Sequence, residues 1–185
     1  MICAVPSPLD LPVTATAPSS ASALVLKAKS GDRAAFGALF ARFRPMVHGI
    51  ALARTRGQDV DDIVQEVFAV ALERLGSLTT DAAVGAWIAT ITRNLIVDRR
   101  RRARPTEDGI EEIADRRAAS DEIVEARRIL EVIQSLPQAY RETLVLRLVE
   151  GMSGPEIAAM VGITPESVRV NLHRGMKRLK EALSS

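Results

Sequence analysis

Helix punctuation near the C-terminus narrows the folds open to this chain more than any other segment. In Ser153-Gly-Pro-Glu156 a hydroxyl and a carboxylate stand three residues apart around Gly154 and Pro155, the spacing of a capping box that opens a short helix. Ile157, Ala158 and Val161 give that helix an apolar side, and Gly162-Ile163 supplies a turn. Thr164-Pro165 is a second cap followed by a proline suited to the first helical position, and the helix it opens carries Val168, Leu172, Met176, Leu179 and Leu183 inward. Two caps around a glycine turn predict a helix-turn-helix, in which the small Ala158 lets the helices approach closely. The plainer alternative is a helical hairpin with a solvated basic face.

The rest of the chain also reads as all-α. Prolines are sparse beyond residue 21 and mostly stand where helices should begin or end, and strand-like alternation is absent. Ser22 is positioned to cap a short helix ending at Gly31. Asp32 is positioned to cap a longer one with Phe36, Leu39, Phe40, Phe43, Val47 and Ile50 on one face and a kink at Pro45. A third helix carries Val60, Ile63, Val64, Val67, Val70 and Leu75 toward the core and is closed by Gly76. A fourth starts near Asp81, buries Val84, Trp87, Ile88, Ile91 and Leu95, and runs out into an arginine cluster. The pattern resumes from Ser120 through Ile123, Ile129, Leu130 and Ile133, breaks at Pro137, and continues through Tyr140, Leu144 and Leu148 to Gly151. The organisation is thus a flexible extension over residues 1–22, a helical domain over 23–104, an acidic linker over 105–119 and a second helical domain, with the helix-turn-helix, over 120–185.

Composition removes several function classes. One cysteine, Cys3, and two histidines, His48 and His173, cannot assemble a Cys/His zinc site or a disulfide framework. Aromatic residues make up 3%, too few for a surface that binds single strands by a row of stacked bases. No catalytic constellation, metal site, cofactor site or Gly-rich phosphate loop coheres. No stretch has the ~20 apolar residues that would cross a bilayer, and the N-terminus lacks signal-peptide character, so a cytoplasmic protein without membrane insertion is expected.

Charge is balanced overall, 25 Lys plus Arg against 23 Asp plus Glu, but segregated along the chain. From Pro165 to Lys180, five Lys or Arg against Glu166 leave +4, and the outward face presents Arg169, His173, Arg174, Lys177 and Lys180, which suits a phosphate-lined groove. Between Arg93 and Arg104, six Arg against Asp98 leave +5, with Asn94 able to meet a base edge; a solvated helix C-terminus is the alternative. Asp59, Asp61, Asp62, Gln65, Glu66 and Glu73 form a third group, with Asp62, Glu66 and Glu73 on one helical stripe. A basic protein partner suits that stripe best, with a solvated face or a divalent metal as alternatives.

The order of these motifs resembles the extracytoplasmic-function sigma factors of bacterial RNA polymerase, from about Ala23 to Leu183. Asp59-Val-Asp-Asp-Ile-Val-Gln-Glu-Val-Phe68 is similar to that family's core-binding helix, and Trp87-Ile-Ala-Thr-Ile-Thr-Arg-Asn-Leu-Ile-Val-Asp-Arg99 to its promoter-melting segment. Leu136-Pro137, Arg141, Leu146-Arg147 and Glu150-Gly-Met-Ser-Gly-Pro-Glu-Ile-Ala158 resemble the approach to its helix-turn-helix. The resemblance implies that Asp59, Asp62, Gln65 and Glu66 face the clamp of the largest polymerase subunit. It implies that Arg93, Asn94, Asp98, Arg99 and Arg100, with the loop from Ser77 to Asp81, handle the minus-ten region of promoter DNA. Ser167, Arg169, Val170, His173, Arg174 and Lys177 would then read the minus-thirty-five element while the linker threads toward the polymerase active site. An anti-sigma protein is a further partner the resemblance leaves room for. Val170 and Asn171 stand where the family commonly has Ser and Arg, which implies an unusual promoter preference. A conventional helix-turn-helix regulator and a purely protein-binding adaptor are the competing readings.

Overall fold

The computed structural model describes residues 20–55, 60–102 and 121–184; residues 1–19 of the expected extension, with Cys3, and also Asp59 and the linker of 105–119 lie outside them, while residues 20–22, expected in the extension, form the cap and start of the first helix. Among the described residues the regular structure is helical: α1 (Ala21–Lys29), α2 (Arg33–Arg54), α3 (Val60–Arg74), α4 (Val84–Arg102), α5 (Asp121–Ser135), α6 (Gln138–Leu148), α7 (Gly154–Val161) and α8 (Pro165–Leu183). Short 3-10 turns over Leu75–Ser77 and Asp81–Ala83 link α3 to α4.

Side-chain caps set the starts of α1, α2, α7 and α8. Ser20, not Ser22, caps α1, its hydroxyl accepting from the Ala23 N–H at 3.2 Å, because the helix begins at Ala21 and already contains Ser22. After α1, Gly31 takes φ +93°, a left-handed conformation open to a residue without a Cβ, and this turns the chain into Asp32. Asp32 then caps α2, accepting from the Ala35 N–H at 3.0 Å. Pro45 lies inside α2, which continues through it as one element, with Phe43, Met46 and Val47 buried on either side of the proline. Gly76 does not close α3 with a left-handed residue; the helix tightens instead into the 3-10 turn that contains it.

α2 is the hub. It packs against α1, α3 and α4 on one side and against α5, α6 and α7 on the other, which is why Met46, Val47, Ile50, Ala51 and Ala53 are all fully buried. The same double contact widens the buried stripe of α4. Val84 and Ile88 are buried as expected and Trp87, Ile91 and Leu95 are half-buried, while Ala89, Thr92 and Ile96 are buried as well. The Thr92 hydroxyl is satisfied by donating to the Ile88 carbonyl at 2.8 Å.

The two helical units share a core. Leu146, Met152, Ile157, Ala158, Val161 and Val168 belong to the same buried cluster as the apolar residues of α1 to α4, and Ala53 of α2 belongs to the cluster built by Ile133, Leu136, Leu144, Val145 and Leu179. This explains why Leu148 of α6, expected inward, is 47% exposed, whereas Leu144, Val145 and Leu146 are fully buried: α6 is covered on two sides, by α8 and by α2. The approach is close. A Cβ on Gly49 would lie 2.7 Å from Leu146 Cδ2, and one on Gly85 would lie 3.0 Å from the Met160 carbonyl oxygen.

The expected capping box is present. The Ser153 N–H donates to Glu156 Oε2 at 2.8 Å, and the Glu156 N–H donates to the Ser153 hydroxyl at 3.4 Å. Gly162 ends α7 at φ +75°, and Thr164 caps α8 by accepting from the Ser167 N–H at 3.1 Å. The Ser153 hydroxyl first, and then its backbone N–H, hold the Glu156 carboxyl below the usual glutamate range. Ser153→Ala should therefore lower the unfolding free energy by about 0.5–2 kcal/mol, measured by urea denaturation at neutral pH. Because the folded pKa of Glu156 is the depressed one, its part of that stability is present above the unfolded value and is lost as pH falls through the folded value. The gap between wild type and variant should accordingly shrink on acidification.

Candidate nucleic-acid interface

α8 presents the most exposed basic face. Val168 and Leu179 are buried and Leu172 and Met176 half-buried, which turns Arg169, His173, Arg174, Lys177 and Lys180 outward. Val170 is 40% exposed and lies beside Arg169 near the cap, with no polar group of its own. Ser167 is exposed, but its hydroxyl is engaged with the Thr164 hydroxyl at 2.9 Å, so within the cap it acts on the turn. Lys177 stands 4.0 Å from Glu181 on the same face. Gly175 lets α8 press against α6, since a Cβ there would meet Leu144 and Tyr140 at 3.1–3.2 Å, and Arg178 lies over the Tyr140 ring at 5.6 Å.

On the first unit the residues expected to act together divide between two faces. Asn94 is exposed and lines a cavity of about 200 Å³ between α3 and α4, together with Glu66, Asp98, Arg99 and Arg102. Arg93, one position earlier, points away from that cavity toward α6. Arg100 is exposed at the end of α4. The Ser77–Asp81 loop is pinned by Lys29 of α1, whose ammonium donates to the Leu78 carbonyl and to Asp81 Oδ1, both at 2.6 Å.

The acidic stripe divides similarly. Asp62 and Gln65 are exposed and face outward from α3. Glu66 is half-buried and accepts from Arg99 Nε at 2.8 Å and Nη2 at 2.5 Å, so a residue read as protein-facing and one read as DNA-facing are paired across the groove. Among the described residues no three His, Cys, Asp or Glu side chains form a group that could hold a metal ion, and no helix is long and apolar enough to cross a membrane.

Three polar contacts cross the seam between the units, and two of their residues, Glu142 and Gln134, were not singled out from the sequence. Glu142 on α6 is buried, with Oε1 accepting from Arg54 Nε and Nη2 at 2.5 Å and Oε2 accepting from Arg93 Nη2 at 2.9 Å and, more weakly, from Nε at 3.3 Å. His48 Nδ1 lies 2.6 Å from Glu150 Oε1, and the Gln134 side-chain amide donates to the Leu52 and Thr55 carbonyls at 3.0 and 3.1 Å. Glu142 carried one signal, a carboxylate directly before the buried run Thr143 to Leu146. Its partners are 88 and 49 positions away, beyond any local pattern.

These features define a DNA-binding protein with a capped helix-turn-helix on one helical unit and separate acidic and basic faces on the other. Family models agree: residues 39–106 match "Sigma-70 region 2" and residues 126–179 match "Sigma-70, region 4". The chain is 32% identical over 183 residues to the RNA polymerase sigma factor CnrH of Cupriavidus metallidurans, covering 88% of this chain and 93% of that one. It is 33% identical over 160 residues to the ECF RNA polymerase sigma factor SigM of Mycobacterium tuberculosis, covering 83% and 80%. The solved structure of CnrH in complex with the cytosolic domain of CnrY superposes with a TM-score of 0.62 at 28% identity, covering 89% of this chain and 97% of that chain. The chain belongs to the ECF sigma factors of the sigma-70 family. It binds core RNA polymerase and directs transcription initiation.

Glu66 and Arg99 are both substantially exposed, so their pair should contribute little to folding. A double-mutant cycle with Glu66→Gln and Arg99→Gln, followed by urea denaturation, should return a coupling of about 0.2–1 kcal/mol.

Proposed function

We propose that the work of this sigma factor is divided by face. Asp62, Gln65 and Glu66 of α3, with Asp59 just before it, dock on the polymerase clamp. Asn94, Asp98, Arg99, Arg100 and Arg93 of α4 handle the minus-ten region. Arg169, Val170, His173, Arg174 and Lys177 of α8, oriented by the Ser167 and Thr164 cap, read the minus-thirty-five element. The first assignment is supported by an outward carboxylate pattern that would repel DNA, the last by a cap and turn that leave a basic helix face open. The units would span residues 23–104 and 120–185, and the protein would act in the cytoplasm as a binding factor with no reaction of its own. The likeness to CnrH, which was captured with CnrY, supports an anti-sigma protein as a further partner.

The openness of the α8 face carries this reading, and it generates different failures for different residues. Arg169, near the cap, reaches base edges; Lys177, two turns further on, reaches only backbone phosphates. Arg169→Ala should cost about 1–3 kcal/mol and relax preference at one or two base positions, whereas Lys177→Ala should weaken binding on all sequences and flatten its salt dependence. Promoters selected by holoenzyme from a library randomised over the upstream element test this. An identical consensus from both variants, with equal information at every position, would remove α8 as the reader.

On the other unit, low aromatic content favours extrusion of a base into a polar pocket over a stacked wedge. Asn94→Ala should impair open-complex formation on duplex promoters and spare a pre-melted template. Equal loss on both would assign Asn94 a structural part instead.

A further inference from the structure

We infer that Arg54 and Arg93 form a phosphate cradle for DNA that Glu142 fills in cis, so that closure of the two helical units and DNA binding at this face exclude each other. The inference rests on the reading that the first unit handles DNA, and adds Arg54, at the last turn of α2, to its contacts.

Geometry supplies the first argument. Both guanidiniums present the Nε/Nη2 edge, and each takes a different oxygen of one carboxylate. Both donors of each arginine converge on one oxygen, so the two guanidiniums together hold a pair of anionic oxygens, and Glu142 stands where two oxygens of a phosphate would sit. The second argument is allocation. Every side-chain hydrogen bond of Glu142 crosses to the first unit and none goes to α5, α7 or α8, so the second unit makes no use of this buried carboxylate in its own polar contacts. Among the described residues Glu142 is also the one carboxylate paired with either arginine. Withdrawal of α6 would leave two adjacent guanidiniums without a counter-charge. Third, the cradle continues a basic face: Arg100 follows Arg93 by seven positions on α4, about 10 Å along the same side, and is exposed without an ion-pair partner among the described residues.

The seam is also shaped for one specific contact. Gly49 and Gly85 admit Leu146 and the Met160 backbone at distances a side chain would forbid, so closure is specific to this pair of surfaces. The caps of α2, α7 and α8 are local to their own units: Asp32, Ser153 and Thr164 each serve the helix they precede.

Binding of a fluorescein-labelled duplex of arbitrary sequence to the full-length chain, followed by anisotropy across a salt series, tests this directly. Glu142→Gln should bind about three- to tenfold tighter at low salt, with a slope of log K on log salt steeper by about 0.9, the signature of one more neutralised phosphate. Glu131→Gln, the same charge change on an exposed part of α5, should leave the slope unchanged. Adding Arg54→Ala to Glu142→Gln should abolish the gain. Should circular dichroism show Glu142→Gln to be unfolded, Gly85→Ala takes its place, forcing α7 from α4 with all charges intact, and should give the same Arg54-dependent gain. A response equal to that of Glu131→Gln, or a gain that survives Arg54→Ala, overturns the cradle. The Asn94→Ala comparison on duplex and pre-melted templates separates the two levels: if it behaves as expected while Glu142→Gln does not, the cradle fails and the DNA role of the first unit stands.

Discussion

Packing of α6 and α7 onto α2 and α4 is the contact from which the rest of the arrangement follows. It makes one core out of two helical units, fixes which side of α6 is buried, sends Arg93 inward while Asn94 stays out, and leaves the basic face of α8 open. Apolar burial supplies the attraction: Leu146 and Ile157 are fully buried against the first unit. A buried ion pair adds little net stability over a well-packed apolar replacement, so Glu142 with its two arginines sets where the surfaces meet more than how strongly they hold.

That division of labour suits a protein that must present DNA-binding surfaces on a polymerase and withhold some of them elsewhere. Carboxylates occupy the cationic side chains of the first unit in both grooves: Glu66 holds Arg99 within the α3–α4 cleft, and Glu142 holds Arg54 and Arg93 at the seam. The first pair is half-exposed and exchanges easily with solvent or a partner. The second is more deeply set, with Glu142 and Arg54 nearly buried in the seam. The faces left open, Asp62 and Gln65 on α3 and the α8 row from Arg169 to Lys177, are those that would meet polymerase and upstream DNA first.

Much of this was legible in the sequence where the physics is local. The box at Ser153 and Glu156, the left-handed Gly162 and the Thr164 cap depend on residues within a turn of one another, and all three are present where expected. Helical class and the outward row on α8 follow from periodicity alone. The misplacements share one cause, long-range burial. Leu148 fits the inward period of α6, yet the second covering surface comes from α2, about a hundred residues earlier, and favours Val145 and Leu146. Arg93 and Asn94 read as one basic cluster because the sequence places them side by side, whereas about 100° of helical rotation puts them on different faces. Ser20 displaced Ser22 as the cap through a shift of one helix start, where local signals are weakest.

As a sigma factor, this chain directs core RNA polymerase to its starts, and the faces proposed for that work can be tested together. The most direct measurement is transcription by purified core polymerase, with and without the protein, on a pool of genomic duplex fragments, with transcript starts mapped by sequencing. A defined set of starts should appear only with the protein and disappear when Asp62 and Gln65 are both replaced by Lys. Starts that are unchanged by adding the protein, accompanied by tight dimeric binding of the isolated chain to paired duplex half-sites, would contradict it.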